Sequence, residues 1–309
     1  MSDYPPLADV GASDGRLEPV GAGLRVQDAA VAADLFTRAA QANLQSPLRK
    51  GNTVHLPDTG WLTMTGDLHD NGLNLQRIVR VAALDRPDHH LILHEVIHGP
   101  YQVQGRDMSV RTLARVAALK LAYPDRVHIL QSNHELAQYR GEGIVKDGIS
   151  VVEAFDAGLD FIYGDDSLIV RAAMRSFLRS LPLAAKAPHE VFFAHSLPGA
   201  RAMERFDPSV IDRELQEADL QPGGSAYNMV WGRSHNQQLA EDLADEWHTR
   251  LFVLGHQPAE FGYELEGDSI LILASDHGHG MVLPIDLSKP DYAREDLVGQ
   301  LVPLASVQL

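Results

Sequence analysis

The chain has 309 residues, no cysteine, 15 histidines and a formal net charge of −16. That length allows one large domain or two ordinary ones, and an apolar fraction of 45% suffices for a globular core. So acidic a balance argues against broad nucleic-acid or anionic-membrane binding. The missing thiols exclude disulfides and thiolate metal sites, so any metal must take oxygen and imidazole ligands.

Residues 1–24 are rich in Pro, Gly and Asp and read as a lead-in. They lack the basic and apolar blocks of a secretion signal, and no apolar run is long enough to span a bilayer. With no cysteine, the expected location is the cytoplasm. A helix is expected over 26–45, a turn over 56–60, a strand over 61–65 and a helix over 73–84, with Leu75, Ile78, Val79 and Ala82 on one face. Then come a strand over 90–97, a helix over 110–123 ended by Pro124 and Asp125, and a strand over 127–131. Residues 149–181 read as helical with a break near Gly164, 190–194 as a strand, 212–218 as a short helix and 221–225 as a loop. A helix over 236–250 and a strand over 251–254 lead to an antiparallel pair, 269–274 with 280–285. The expected division is an N-terminal extension (1–55), a main domain (56–290) and a tail (291–309). Strand–helix alternation closing on adjacent strands predicts an α/β layered sandwich of mixed sheets.

Six polar segments sit at or just past predicted strand ends: GDLHDN (66–71), LHEVIHG (93–99), SNHE (132–135), AHSLPG (194–199), LGHQP (254–258) and SDHGHG (275–280). A strand that ends in a ligand-rich turn is how an α/β protein builds a site at one edge of its sheet. Asp67 and His69 lie two apart and can reach one cation, the carboxylate for charge and the imidazole for geometry. Taken singly, that turn is as well explained by Asp70 or Asn71 capping the next helix. Asn133 can offer its side-chain oxygen to a metal, with His134 beside it as a proton donor; an Asx-turn capped by Glu135 is the plain alternative. His195 and His256 could each be an ordinary sheet-edge histidine. His277 and His279 sit two apart in a turn that could face the site or form a polar hairpin tip. His94 directly precedes Glu95.

The stretch LARVAALKLAYPDRVHILQSNHE (113–135) resembles the helix–strand–GNHE segment of the PPP-type metallophosphatases, which include the Ser/Thr protein phosphatases and the bacterial diadenosine tetraphosphatases. GDLHDN resembles that family's GDxHG, LPLAAKAPHEVFFAHSLPG its LPxAA…HGG, YNMVWGRSHN its LLWSDP and LGHQP its GHQ. The likeness runs from about residue 61 to 285. It implies a calcineurin-like metallophosphoesterase sandwich of mixed β-sheets flanked by helices. It also implies two divalent ions, manganese, iron or zinc. Asp67 and His69 would hold one, Asn133, His195 and His256 the other, and Glu95 would bridge both. His134 would protonate the leaving alkoxide, His98 would orient it, and Arg233 would clamp the phosphate.

The implied reaction is hydrolysis of a phosphomonoester, on a phosphorylated protein or a small phosphate ester, by attack of metal-bound hydroxide. A dinucleoside polyphosphate hydrolase and a degenerate, phosphate-binding protein of the same fold are the alternatives. Neither nucleic acid nor membrane is an expected partner. The chain departs from the pattern where GDxVDRG becomes HEVIHGP: the bridging Asp becomes Glu95, the orienting Asp becomes His98, and the clamping Arg becomes Gly99. Arg233 is the foremost substitute for that Arg; Arg140, Arg201 and Arg205 lie in nearby segments and are more ordinary as surface residues.

Overall fold

The computed structural model describes residues 25–146, 148–233 and 235–309; the lead-in expected over 1–24 lies outside the described residues. Two mixed sheets face each other. The larger has seven strands in the order Arg49–Lys50, Thr53–His55, Ala184–Ala187, Val191–Ala194, Leu251–Leu254, Ile270–Leu273 and Tyr263–Glu266. The smaller has five, in the order Val302–Pro303, Met281–Asp286, Trp61–Asp67, His89–His94 and Val127–Ile129. Alternate residues of a strand point to opposite faces. Ile92 accordingly joins Leu62, Met64, Phe193, Val253 and Leu271 between the sheets, while its neighbours Leu91 and Leu93 pack with the helices. Full burial of each such side chain contributes about 1.5–3 kcal/mol.

The helices form where apolar spacing and caps agree. Ala29–Leu44 starts at Asp28, whose carboxylate accepts from the Ala30 N–H at 3.0 Å. Gly72–Ala82 starts at Asn71, which accepts from the Asn74 N–H at 3.0 Å and buries Leu75, Ile78 and Ala82. The long helical stretch is two helices, Val151–Tyr163 and Ser167–Arg179, divided at Gly164 as its sequence suggests. No helix among the described residues is long and apolar enough to cross a membrane.

Three expectations are corrected. Residues 212–218 form no α-helix; a short 3-10 turn at Pro208–Ile211 precedes them, another at Glu217–Leu220 overlaps their end, and the helix is Ser225–Trp231 instead. Arg213 explains this: its side chain bridges Asp207 at 2.7 Å and Asp219 at 2.6 Å, pinning an irregular loop. The strands expected to pair over 269–274 and 280–285 do not pair with each other. Ile270–Leu273 lies between Leu251–Leu254 and Tyr263–Glu266, whereas Met281–Asp286 runs antiparallel to Trp61–Asp67. The segment between them carries the chain from one sheet to the other. Arg49–Lys50, Thr53–His55, Ala184–Ala187 and Tyr263–Glu266, not anticipated as strands, complete the larger sheet, and Val302–Pro303 adds an unanticipated edge to the smaller.

Beside the apolar core between them, the sheets are joined by a backbone bridge of Asp67 with Ala274. The Ser275 N–H donates to the Asp67 carbonyl at 3.1 Å and the Gly66 N–H donates to Ser275 Oγ at 2.9 Å. A Cβ at Gly66 would lie 2.2 Å from the Leu273 carbonyl oxygen, so only glycine permits this approach.

Candidate metal centre

Parallel strands of both sheets end on the same side of this seam. Trp61–Asp67 delivers Asp67 and then His69, and His89–His94 delivers Glu95. Asn133 opens the helix Asn133–Arg140, whose cap is Ser132, accepting from the Glu135 N–H. Val191–Ala194 and Leu251–Leu254 deliver His195 and His256. His195 Nε2 lies 2.7 Å from Asn133 Oδ1, 3.0 Å from His256 Nδ1 and 3.6 Å from Glu95 Oε1. On the other side of Glu95, His69 Nε2 lies 3.6 Å from Oε2. Both Asp67 oxygens accept from the His256 N–H, at 2.9 and 3.0 Å. Metal-type clusters therefore form around His69, Glu95 and His134, around Glu95, His195 and His256, and around Asp67, His94 and His195.

The backbone is bent hard to do this. His69, Glu95, His98 and His256 all have positive φ, from 43° to 68°. That region costs a non-glycine residue on the order of 1–3 kcal/mol and persists only where neighbours enforce it. Glu135 is one enforcer. Its buried carboxylate accepts from the N–H groups of Val96 at 2.8 Å and Ile97 at 3.2 Å, fixing the loop that aims Glu95. The Ile97 carbonyl in turn faces His69 Nδ1 at 3.1 Å, which leaves Nε2 pointing inward.

A cation fits this donor set. Burial, followed by the Asp67 charge, raises the Glu95 carboxyl well above its ordinary range, and its Oε1 is buried with no hydrogen-bond partner among the described residues. Burial pushes the Asp67 carboxyl up, but the hydrogen bond with Glu95 and the facing His94 and His69 outweigh it and hold Asp67 below its usual value. Two buried carboxyls in contact favour a shared proton or a bound cation. Desolvation keeps His195 well below the ordinary imidazole value and His256 down at about 3, so both rings are neutral, as ligands must be.

His134 and His98 meet through their Nδ1 atoms at 2.9 Å, and His98 Nε2 reaches Gln138 Oε1 at 3.0 Å. His134 Nε2 lies 3.8 Å from Glu95 Oε1. Arg233 is exposed, and its charge acts on both Glu95 and His256. Arg201 and Arg205 are also exposed; Arg140 pairs with Glu142 at 3.1 Å and lies 5.7 Å from the Tyr227 ring centre. His277 and His279 join no metal-type cluster among the described residues; His277 Nε2 bonds the Ala259 carbonyl at 3.0 Å.

No protein-family model matches the chain. Over 91 residues it is 30% identical to the serine/threonine-protein phosphatase PP2A-like PPG1 of Saccharomyces cerevisiae, a stretch covering 29% of this chain and only 23% of that protein. Its structure resembles that of a S. cerevisiae protein serine/threonine phosphatase with similarity to human phosphatase PP5, with a TM-score of 0.63 and 14% identity over 90% of this chain and 93% of the other. The fold is that of the PPP-type metallophosphatases. A cold-active protein-tyrosine phosphatase of a psychrophilic Shewanella shares it more distantly, with a TM-score of 0.52 and 12% identity over 80% of each chain.

From His94 to Gly99 the chain departs from the resembled pattern, and the structure shows the consequence at Gly99. A Cβ at Gly99 would lie 2.5 Å from the Asp70 Cβ and 3.0 Å from the His69 carbonyl oxygen. Asp70 is held there by a hydrogen bond from Thr112. No larger side chain fits at position 99, so the clamping Arg of the resembled pattern has no room. The sequence marked His94 only by its place before Glu95 and gave Asp70 and Glu135 only as helix caps; Gln138 and Thr112 were not anticipated. The one usable signal was position: His94, Asp70 and Glu135 each adjoin a named motif residue, whereas nothing marked Gln138 or Thr112.

Proposed function

We infer that the chain is a divalent-metal-dependent phosphoesterase that hydrolyses a phosphomonoester, either on a phosphorylated Ser or Thr side chain or on a small molecule. One observation carries this reading: Asp67, His69, Asn133, His195 and His256, from four chain segments on two sheets, gather about the buried Glu95 carboxylate, whose Oε1 has no hydrogen-bond partner among the described residues. In it, Glu95, Asn133, His195 and His256 would hold one ion, and Asp67, His69 and Glu95 would hold the other. The donors suit manganese, iron or zinc alike. When bound, the ion pair supplies Lewis acidity toward a phosphoryl oxygen and an acidified water.

The chain supplies the rest. Arg233, exposed and electrostatically linked to Glu95 and His256, offers its guanidinium to the ester oxygens. His134 directs Nε2 toward the Glu95 side of the cleft, where it can give a proton to the departing alkoxide. His98 holds the opposite nitrogen and fixes the ring plane. The acidic surface does not bar an anionic substrate, because bound cations invert the local field.

Purified protein with added manganese should release phosphate from an aryl phosphate. Asp67→Asn and His256→Ala should lose that release and bound metal together while circular dichroism is unchanged. Metal retention in both variants would undo the ligand assignment. Lack of turnover by the wild-type protein on aryl phosphates and phosphopeptides would undo the catalytic one.

A further inference from the structure

Where the resembled pattern has glycine, this chain has His94, and its ring is wholly buried between the two sheets' strand ends. His94 Nε2 lies 2.9 Å from the Thr65 carbonyl oxygen, and Nδ1 lies 3.0 Å from Nδ1 of His195. A carbonyl only accepts, so the hydrogen of a neutral His94 must sit on Nε2. Nδ1 then presents a lone pair. A second lone pair across 3.0 Å would repel it, so His195 carries its hydrogen on Nδ1 and donates. That leaves His195 Nε2 bare, facing Asn133 Oδ1 and Glu95 Oε1.

Without His94 the preference would reverse. A neutral His195 next to Asn133 Oδ1 at 2.7 Å gains most by placing its hydrogen on Nε2, which would block that atom as a ligand. The charged group facing both rings is Asp67, its Oδ1 3.4 Å from His94 Nδ1 and 3.6 Å from His195 Nδ1, beyond good hydrogen-bond range. Space for the ring comes from Gly255: a Cβ there would lie 2.3 Å from His94 Cε1. The ligand segment and the added histidine are therefore fitted to each other.

We propose that His94 is a positioning residue that sets the tautomer of His195, so that the Thr65 carbonyl, His94 and His195 form a relay presenting a ready-made imidazole lone pair to the metal centre. This rests on the metal-centre reading above, and resembles the way an outer partner fixes a ligating histidine in metal sites generally. Glutamine at position 94 can reproduce the relay, its amide donating to Thr65 and its oxygen accepting from His195. Leucine can fill the space but cannot reproduce it.

The test uses metal-free protein, two variants at position 94 and His195→Asn for assignment. Long-range ¹H–¹⁵N spectra, with His195 assigned by loss of its signals in His195→Asn, should show the Nδ1–H tautomer in wild type and His94→Gln, and the Nε2–H tautomer in His94→Leu. Zinc affinity by chelator competition should fall about 10–100-fold in His94→Leu and stay within about threefold of wild type in His94→Gln. An Nε2–H tautomer in wild type overturns the relay, as does unchanged affinity in His94→Leu. Equal loss in both variants would make His94 a ligand or a packing residue, and also overturns it. If wild type binds no zinc, the metal-centre reading fails, while the tautomer spectra still decide the relay.

Discussion

His98 and His134 face each other nitrogen to nitrogen, Nδ1 to Nδ1 at 2.9 Å. Gln138 decides the direction of that contact. Its amide nitrogen donates to Asp156 Oδ1 at 3.0 Å, so its oxygen faces His98 and draws the ring hydrogen to Nε2. Burial pushes His98 down to about 3, so it stays neutral and accepts from His134. A neutral acceptor steadies an imidazolium less than a carboxylate would. His98→Asp should therefore make His134 more basic and carry the alkaline limb of the kcat–pH profile to higher pH. His98→Leu should lower kcat by about 10²-fold. A limb that stays put in His98→Asp would remove His98 from the proton path.

Arg233→Ala should leave the fold alone, because the side chain is exposed. Loss of one donor to the transferring group typically costs about 10²–10³ in rate. We expect that loss in kcat/KM for an aryl phosphate, partial recovery with added guanidinium, and an unchanged melting temperature. Wild-type kinetics in this variant would show that another cation does the clamping.

Gly99→Arg restores the residue type of the resembled pattern, yet should not restore function. The Asp70 Cβ and His69 carbonyl occupy the space its first carbon needs. Overpacking of this kind costs about 1–3 kcal/mol, and it would push on His69. A lower urea midpoint and weaker metal binding should appear together; higher activity at unchanged stability would contradict the steric reading.

At the opposite end of the small sheet, His90 and His128 stack with ring centres 5.7 Å apart. Burial, then the nearby Arg126 and His89 charges, pushes His90 down to about 4, and burial pushes His128 well below its ordinary value. Both pKa values are depressed on folding, so the unfolded chain binds protons first. Their stabilisation is complete above pH 6.5, the ordinary histidine value, and is lost as pH falls toward 4. His90→Asn combined with His128→Leu should flatten the decline of the urea midpoint across that window. An identical decline in the variant would assign acid lability elsewhere.

The strands that lead into the polar turns were legible in the sequence because each such turn follows an apolar run, and such runs read as strands wherever they fall. Sheet membership was not. Ile270–Leu273 and Met281–Asp286 are both good strands separated by a tight polar bend, the usual sign of a hairpin, yet they belong to different sheets. Only the approach permitted by Gly66 and the hydrogen bonds of Ser275 decide that, and both are long-range. Likewise, Asp67, His69, Glu95, Asn133, His195 and His256 could be named from motif order, but the groups that aim them could not. Glu135 looked like a helix cap, and its contact with Val96 and Ile97 spans 38 residues or more.

Asp67, His69, Glu95 and Asn133 ride on the small sheet, while His195 and His256 ride on the large one. In the proposed assignment one ion would draw on both halves, taking Glu95 and Asn133 from the small sheet and His195 and His256 from the large one. An ion held between them would act as a clasp across a seam that also holds through the bridge of Asp67 with Ala274 and the His256 N–H bonds to Asp67. Sliding one layer past the other by a single residue would then release it, which makes metal retention a direct gauge of whether the two halves remain in register.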